Sequence, residues 1–197
     1  MHVFIVYAHP SEDSFTRQVR DSFTAGLGSA RHSYVISDLY GMNFKTDMDE
    51  AEYRREAFYQ REIPLPADVI AEQEKINSSD AIVFIFPLFW SEAPAKLVGW
   101  FDRVWTYGFA YGENRTMKQL KKGLILCSAG NTMEYFRRTG ILGALKKVML
   151  EDRLFDRVKT KEFLLLDGTS RENPKHKQNR KAHLERVFQA GALFSVL

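Results

Sequence analysis

The stretch Ala81-Ile82-Val83-Phe84-Ile85-Phe86-Pro87-Leu88-Phe89-Trp90-Ser91-Glu92-Ala93-Pro94 decides the fold. An uninterrupted apolar run closed by a proline reads as a strand buried on both faces, the pattern of a parallel sheet with helices above and below it. Working outward, four more short runs rich in Val, Ile, Leu or Phe read as strands: His2 to Tyr7, Ser33 to Ser37, Gly123 to Ser128 and Glu162 to Leu166. Helical patterns fall between and after them at about 14–27, 67–77, 94–106, 139–151 and 175–194. Strands alternating with helices predict a three-layer α/β sandwich with a five-stranded parallel sheet. The segment Gly41 to Pro66 exceeds what such a domain needs. It is a polar and aromatic insertion ending in two prolines, and it reads as a lid, a dimer contact or a helical excursion.

With 197 residues, 45% apolar and 13% aromatic, the chain suits one domain, 1–197, with its own core. Its 28 basic and 25 acidic side chains leave a net charge of +3, spread along the chain. The densest basic stretch, Lys175, His176, Lys177, Arg180 and Lys181, reads as a solvated helix face, and no nucleic-acid partner is expected. Cys127 is the single cysteine, so no internal disulfide forms, and its apolar surroundings suggest a buried thiol. The run Val3 to Ala8 is too short for a signal core or a span, and no later run reaches about 18 apolar residues. A cytoplasmic protein without stable membrane insertion is expected. Five histidines stand at 2, 9, 32, 176 and 183 without HExxH or cysteine pairing, so no metal is assigned; GxSxG and GxGxxG are also absent.

In a doubly wound sheet, ligands bind beyond the carboxyl ends of the strands, where strand order reverses. Three segments there carry polar chemistry. After the first strand come His9, Pro10, Ser11, Ser14, Phe15 and Thr16, which lead into a helix whose free N–H groups can cradle phosphate; the alternative is a simple cap by Ser11 or Ser14. After the third strand, Phe89 and Trp90 stand between Pro87 and Pro94, either as a stiff aromatic wall for a planar ring or as core filling. After the fourth come Ser128, Ala129, Gly130, Asn131 and Thr132, where small residues allow close approach of a ligand, and Tyr135, which could hydrogen-bond a ligand oxygen; the stretch is also compatible with a plain turn.

Together these segments resemble the NAD(P)H quinone oxidoreductase family of flavodoxin-like flavoproteins. The resemblance rests on Phe86 to Trp90 with Pro94 and Gly99-Trp100-Phe101-Asp102-Arg103-Val104, on Ala8-His9-Pro10 with Ser14-Phe15, and on Ser37-Asp38-Leu39-Tyr40. It extends to Ala71-Glu72-Gln73 and Phe109-Ala110-Tyr111. It implies a flavodoxin-like sheet of order 2-1-3-4-5 and a non-covalent FAD, or FMN in some relatives, at a homodimer interface. NAD(P)H and a quinone, azo or nitroaromatic acceptor would then take turns over the flavin in a ping-pong cycle.

By the same resemblance His9, Ser14, Phe15 and Thr16 match positions that hold pyrophosphate and ribose. Pro87, Leu88, Phe89 and Trp90 match those that wrap the ring, and Ser128, Ala129 and Gly130 those that bond its pyrimidine edge. Phe89, Trp90 and Tyr135 would bound the reacting centre. Two departures stand out. Thr16 replaces the usual Asn, and Leu142 stands where the animal enzymes carry a histidine that works with the tyrosine, so that pairwise relay is absent. Some members of the family are instead ancillary subunits of potassium-efflux transporters, the alternative role the resemblance allows. A one-electron carrier of flavodoxin type fits less well, because such carriers have a hydroxyl- and glycine-rich phosphate loop and an acidic surface.

Overall fold

The structure, a computed structural model, describes residues 1–195. Five strands, β1 (His2–Tyr7), β2 (Ser33–Asp38), β3 (Ala81–Pro87), β4 (Leu120–Ser128) and β5 (Val158–Leu166), form one all-parallel sheet of order β2-β1-β3-β4-β5. This is the flavodoxin-like arrangement. The helices are α1 (Phe15–Ser29), α2 (Glu50–Ala57), α3 (Ala67–Ser78), α4 (Ala95–Val104), α5 (Met133–Arg138), α6 (Ile141–Lys146) and α7 (His176–Ala192). All seven residues of β3 are buried, as a central strand covered on both faces must be.

Alternation of side chains sorts the core into two layers. Val3, Ile5, Val83, Ile85, Leu124 and Leu126 face α1 and α7, where Val19, Phe23 and Val187 complete the packing. Phe4, Val6, Phe84, Phe86, Ile125 and Cys127 face the other way, toward Leu97, Trp100, Phe101 and Val104 of α4. On that side Glu72 of α3 is fully buried. It accepts hydrogen bonds from Trp100 Nε1 (2.8 Å), Ser37 Oγ (2.8 Å) and Lys75 Nζ (2.5 Å). A buried carboxylate with three donors is stable where an unpaired one would not be.

Four differences from the sequence reading go beyond shifts of one or two residues. β4 starts three residues earlier, because Lys121 and Lys122 carry the strand outward from its apolar stretch. β5 starts four residues earlier, through Val158, Lys159, Thr160 and Lys161, a charged lead-in suited to a sheet edge. The helical pattern at 139–151 is two pieces: α6 begins after Gly140, whose φ of +75° ends α5, and then passes into a π-helical segment, Lys147–Leu154. The third loop also contains a helix, α5, capped by Thr132.

The insertion is a helical excursion held along α4. Asp49 and Glu52 form a reciprocal capping box at the start of α2. Before it, the chain approaches Gly99 so closely that a Cβ there would lie 2.4 Å from Thr46 O. The seam is fixed by Arg103, 2% exposed, whose guanidinium donates to Glu52 (2.7 Å), Lys45 O (2.9 Å) and both oxygens of Asp68 (2.6 and 3.1 Å).

Arg103→Ala removes the donor shared by Glu52, Asp68 and Lys45 O and leaves buried Glu52 with only Lys45 Nζ (3.3 Å) and the Asp49 N–H (3.0 Å), so unfolding free energy in urea should fall by about 2–3 kcal/mol and residues 41–66 should become the first site of proteolysis. A loss below about 1 kcal/mol would mean the network does not hold the excursion. Asp80 gives a second test. The His2 N–H (2.8 Å) and then Lys121 (2.9 Å) hold its carboxyl down at about 2. Its contribution is full above the ordinary carboxylate range and is lost as pH falls from about 4 through about 2, so Asp80→Asn should flatten that part of the acid-unfolding curve.

Candidate functional site

The chain turns one way from β1 to reach β2 and crosses back to β3, so the loops after β1 and β3 part at the strand-order reversal and leave a crevice. Ser14 is the N-cap of α1, with extended backbone and its Oγ accepting the Arg17 N–H at 3.0 Å. The cap reading is thus correct for Ser14, and the N–H groups of Phe15 and Thr16, in the first turn, have no intrahelical acceptor. Thr16, 2% exposed, places Oγ1 2.9 Å from Ser128 Oγ, which ties this turn to the end of β4. His9 Nδ1 lies 2.9 Å from the Ser11 N–H, and its ring centroid is 6.5 Å from that of Phe89. Burial lowers its pKa below the usual 6.5, outweighing the Ser11 backbone contact that raises it, so the imidazole is neutral at pH 7.

The loop after β3 is a tight hairpin. Pro87 ends the strand, and Leu88 N–H donates to Ser128 O (2.8 Å). Phe89 and Glu92 exchange backbone bonds of 3.0 and 3.1 Å. The Leu88 and Phe89 N–H groups are therefore engaged within the protein. What it presents is aromatic surface. Phe89 is 42% exposed and Trp90 99% exposed, and Trp90 adopts φ +59°, a conformation rarely taken by a bulky residue. Backbone strain of this kind persists where the surroundings over-determine it, and it concentrates at ligand clamps.

Leu88 and Trp90 share a cavity of about 790 Å³ with Ala129, Gly130, Tyr135 and Phe136, and Ser170 and Asn173 form the far rim. Five residues singled out from sequence, on two separate loops, thus line one space. Ala129 is backing: its N–H donates to Leu166 O, and its carbonyl accepts from Thr169 N and Oγ1. Tyr135 lies in the first turn of α5, edge-on to Phe136 (5.6 Å). Leu142 is half-buried against the core, so the place of a relay histidine is filled by packing.

Arg180, part of the basic stretch 175–181, was not among the expected site residues, and the structure gives it specific partners. Its guanidinium sits 5.3 Å over the Phe15 ring and donates to Thr169 O (2.9 and 3.2 Å). With Lys177 and Lys181 it lines a groove of about 530 Å³ between α7 and Gln18 and Ser22 of α1. The basic spacing along 175–181 was the available signal, but a solvated face has the same spacing. A separate hollow of about 580 Å³ between Met48, Trp105 and Arg157 contains none of the sequence-derived site residues.

The site can seat a flat ring of appreciable size between Trp90 and the 129–135 turn, with an anionic extension toward the α1 N-terminus and Arg180. Among the described residues no cluster of His, Cys, Asp or Glu could hold a metal, and no helix is long and apolar enough to cross a membrane. Cys127 is buried, and burial pushes its thiol well up, so it is not poised as a thiolate.

Residues 1–190 match the family described as Flavodoxin-like fold. Among solved structures, the chain is 45% identical to the NAD(P)H:quinone oxidoreductase from Methanothermobacter marburgensis, with TM-score 0.92, covering 98% of this chain and 96% of that one. It is 33% identical over 160 residues to the human ribosyldihydronicotinamide dehydrogenase [quinone], covering 72% of this chain and 68% of that protein. The chain spans about two thirds of the length of the curated relatives it matches. An FMN-dependent NADH-azoreductase from Bacillus anthracis in complex with FMN, 16% identical with TM-score 0.71 and covering 98% of this chain and 99% of that one, shares the fold. The sheet order, the aromatic hairpin beside the phosphate turn and these likenesses agree: the chain belongs to the flavodoxin-like family of NAD(P)H quinone oxidoreductases.

Proposed function

We propose that this chain is a flavin-dependent NAD(P)H oxidoreductase that reduces quinones, or azo and nitroaromatic acceptors, by two-electron hydride transfer, donor and acceptor occupying the site in turn. The observation that carries this reading is the wholly exposed Trp90 ring, held at a strained backbone angle across a cavity from Gly130 and Tyr135. A large apolar ring in water is unfavourable unless a partner covers it, and a planar heterocycle fits that place.

Flavin held here would supply the chemistry of taking a hydride from NAD(P)H and returning two electrons to the acceptor; a quinone would take up two protons as well and leave as the hydroquinone. The chain's own residues bind, orient and exclude water. Ser14, Phe15, Thr16 and the neutral His9 surround the phosphate end. Pro87 to Trp90 wall the ring, and Ser128 to Gly130 lie along its polar edge. The Tyr135 hydroxyl, which has no hydrogen-bond partner among the described residues, lines the same cavity and would serve as the proton donor. FAD is favoured over FMN because the Lys177–Arg180–Lys181 groove continues from Phe15 and offers three cations to a second phosphate and adenosine. A homodimer is supported by Tyr53, Phe58 and Tyr59 of the excursion, each 58–61% exposed, with the Tyr59 ring 4.7 Å from that of Tyr107.

Flavin released from the purified protein should have the absorbance and mass of FAD, bleach in the holoprotein on adding NADH or NADPH, and recover on adding menadione; no flavin after incubation with FAD and FMN would sink the proposal. Arg180→Glu should weaken FAD at least about tenfold and leave FMN nearly unaffected, and equal losses for both would argue against the groove. Tyr135→Phe should keep its flavin but lose about tenfold in kcat/KM for the acceptor, as expected for a lost proton donor, whereas an unchanged rate would remove Tyr135 from the chemistry.

A further inference from the structure

A second cavity adjoins the Phe89–Glu92 hairpin. It is small, about 130 Å³, and Ser91 and Glu92 form one edge of it. The floor and opposite wall are apolar: Ile141, Ala144 and Leu145 from α6, then Val148 and Met149 from the start of the π-helical segment. Bonding to the fifth residue widens a helix locally, and such turns recur beside functional sites. The one carboxylate at the edge, Glu92, accepts the Ala93 N–H at 2.8 Å. Nothing among these side chains would neutralise an anion, and beyond Ser91 and Glu92 the lining is wholly apolar, which suits a neutral, apolar occupant.

Its size is informative. A flavin or naphthoquinone ring does not fit, whereas a branched five-carbon chain at interior packing density fills roughly 120 Å³. Trp90 borders the large cavity and Ser91 and Glu92 the small one, so consecutive residues of one hairpin line both. Leu142 adds a further apolar residue on α6, half-buried, at the position where the resemblance implied an ionisable one.

We infer that this cavity is a tail subsite that receives the first prenyl unit of a lipophilic quinone whose ring lies against Trp90. The inference rests on the reductase reading and deepens it: the substrate class is prenylated quinones in preference to bare ones. The subsite binds only; the electrons and protons go to the ring.

The test measures kcat/KM of the flavin-loaded protein, with NAD(P)H saturating, for a methylated benzoquinone and for the same quinone bearing one prenyl chain. Half-withdrawing five carbons from water should favour the prenylated acceptor by about thirtyfold. A second prenyl unit should add little, since the cavity has room for one. Ala144→Trp fills the cavity from an exposed helical position, and Val148→Arg puts a charge at its mouth. Each should abolish the preference while leaving the bare quinone's kcat/KM and the flavin content unchanged. Equal kcat/KM for the two acceptors in the wild type, or a preference that survives both substitutions, overturns the subsite and leaves the reductase reading intact. No reduction of either quinone overturns both.

Discussion

Burial of β3 on both faces is the constraint from which the rest follows. Because none of its seven residues reaches water, helices must cover both sides, and each strand must be re-entered in the same direction. The loops that leave β1, β3 and β4 then share one rim. Thr16 can bond Ser128 across 112 positions of sequence only because the sheet places the ends of β1 and β4 on either side of β3. Chemistry at that rim needs few ionisable groups. The fold supplies the alignment, and the loops supply aromatic surface and a partial positive charge.

Much of this architecture could be read from the sequence, because strands buried on both faces are written in continuous apolar letters. β1 coincides with its expected limits, and β3 exceeds them only by Pro87. The edges were less legible. Lys159 and Lys161 carry strand geometry that their polarity conceals, since a residue on an outer strand need bury only part of itself. The break between α6 and the π-helical segment was illegible for another reason: an apolar repeat of about 3.6 does not distinguish a continuous helix from one that loosens midway.

The candidate site was legible in residue type more than in role. Leu88, Trp90, Ala129, Gly130 and Tyr135 converge on one cavity, as their positions after strands suggest. What the letters could not convey was which backbone groups remain available, because hydrogen bonds to β4, within the hairpin and to β5 claim the N–H groups of Leu88, Phe89 and Ala129 respectively. Arg180 was equally hidden, since its relation to Phe15 depends on the α1–α7 contact across the whole chain. The Gly41 to Pro66 segment became intelligible only through Arg103, whose partners come from three separate stretches.

The three tryptophans divide sharply by surroundings: Trp100 is 0% exposed, Trp105 7% and Trp90 99%. In optical terms the chain contains one solvent-relaxed emitter and two shielded ones. A small aqueous quencher reaches Trp90 and spares the others, so the red edge of the emission belongs to a single side chain at the mouth of the cavity. The ring that best marks this site chemically is therefore also its built-in reporter, sensitive to whatever comes to lie over it.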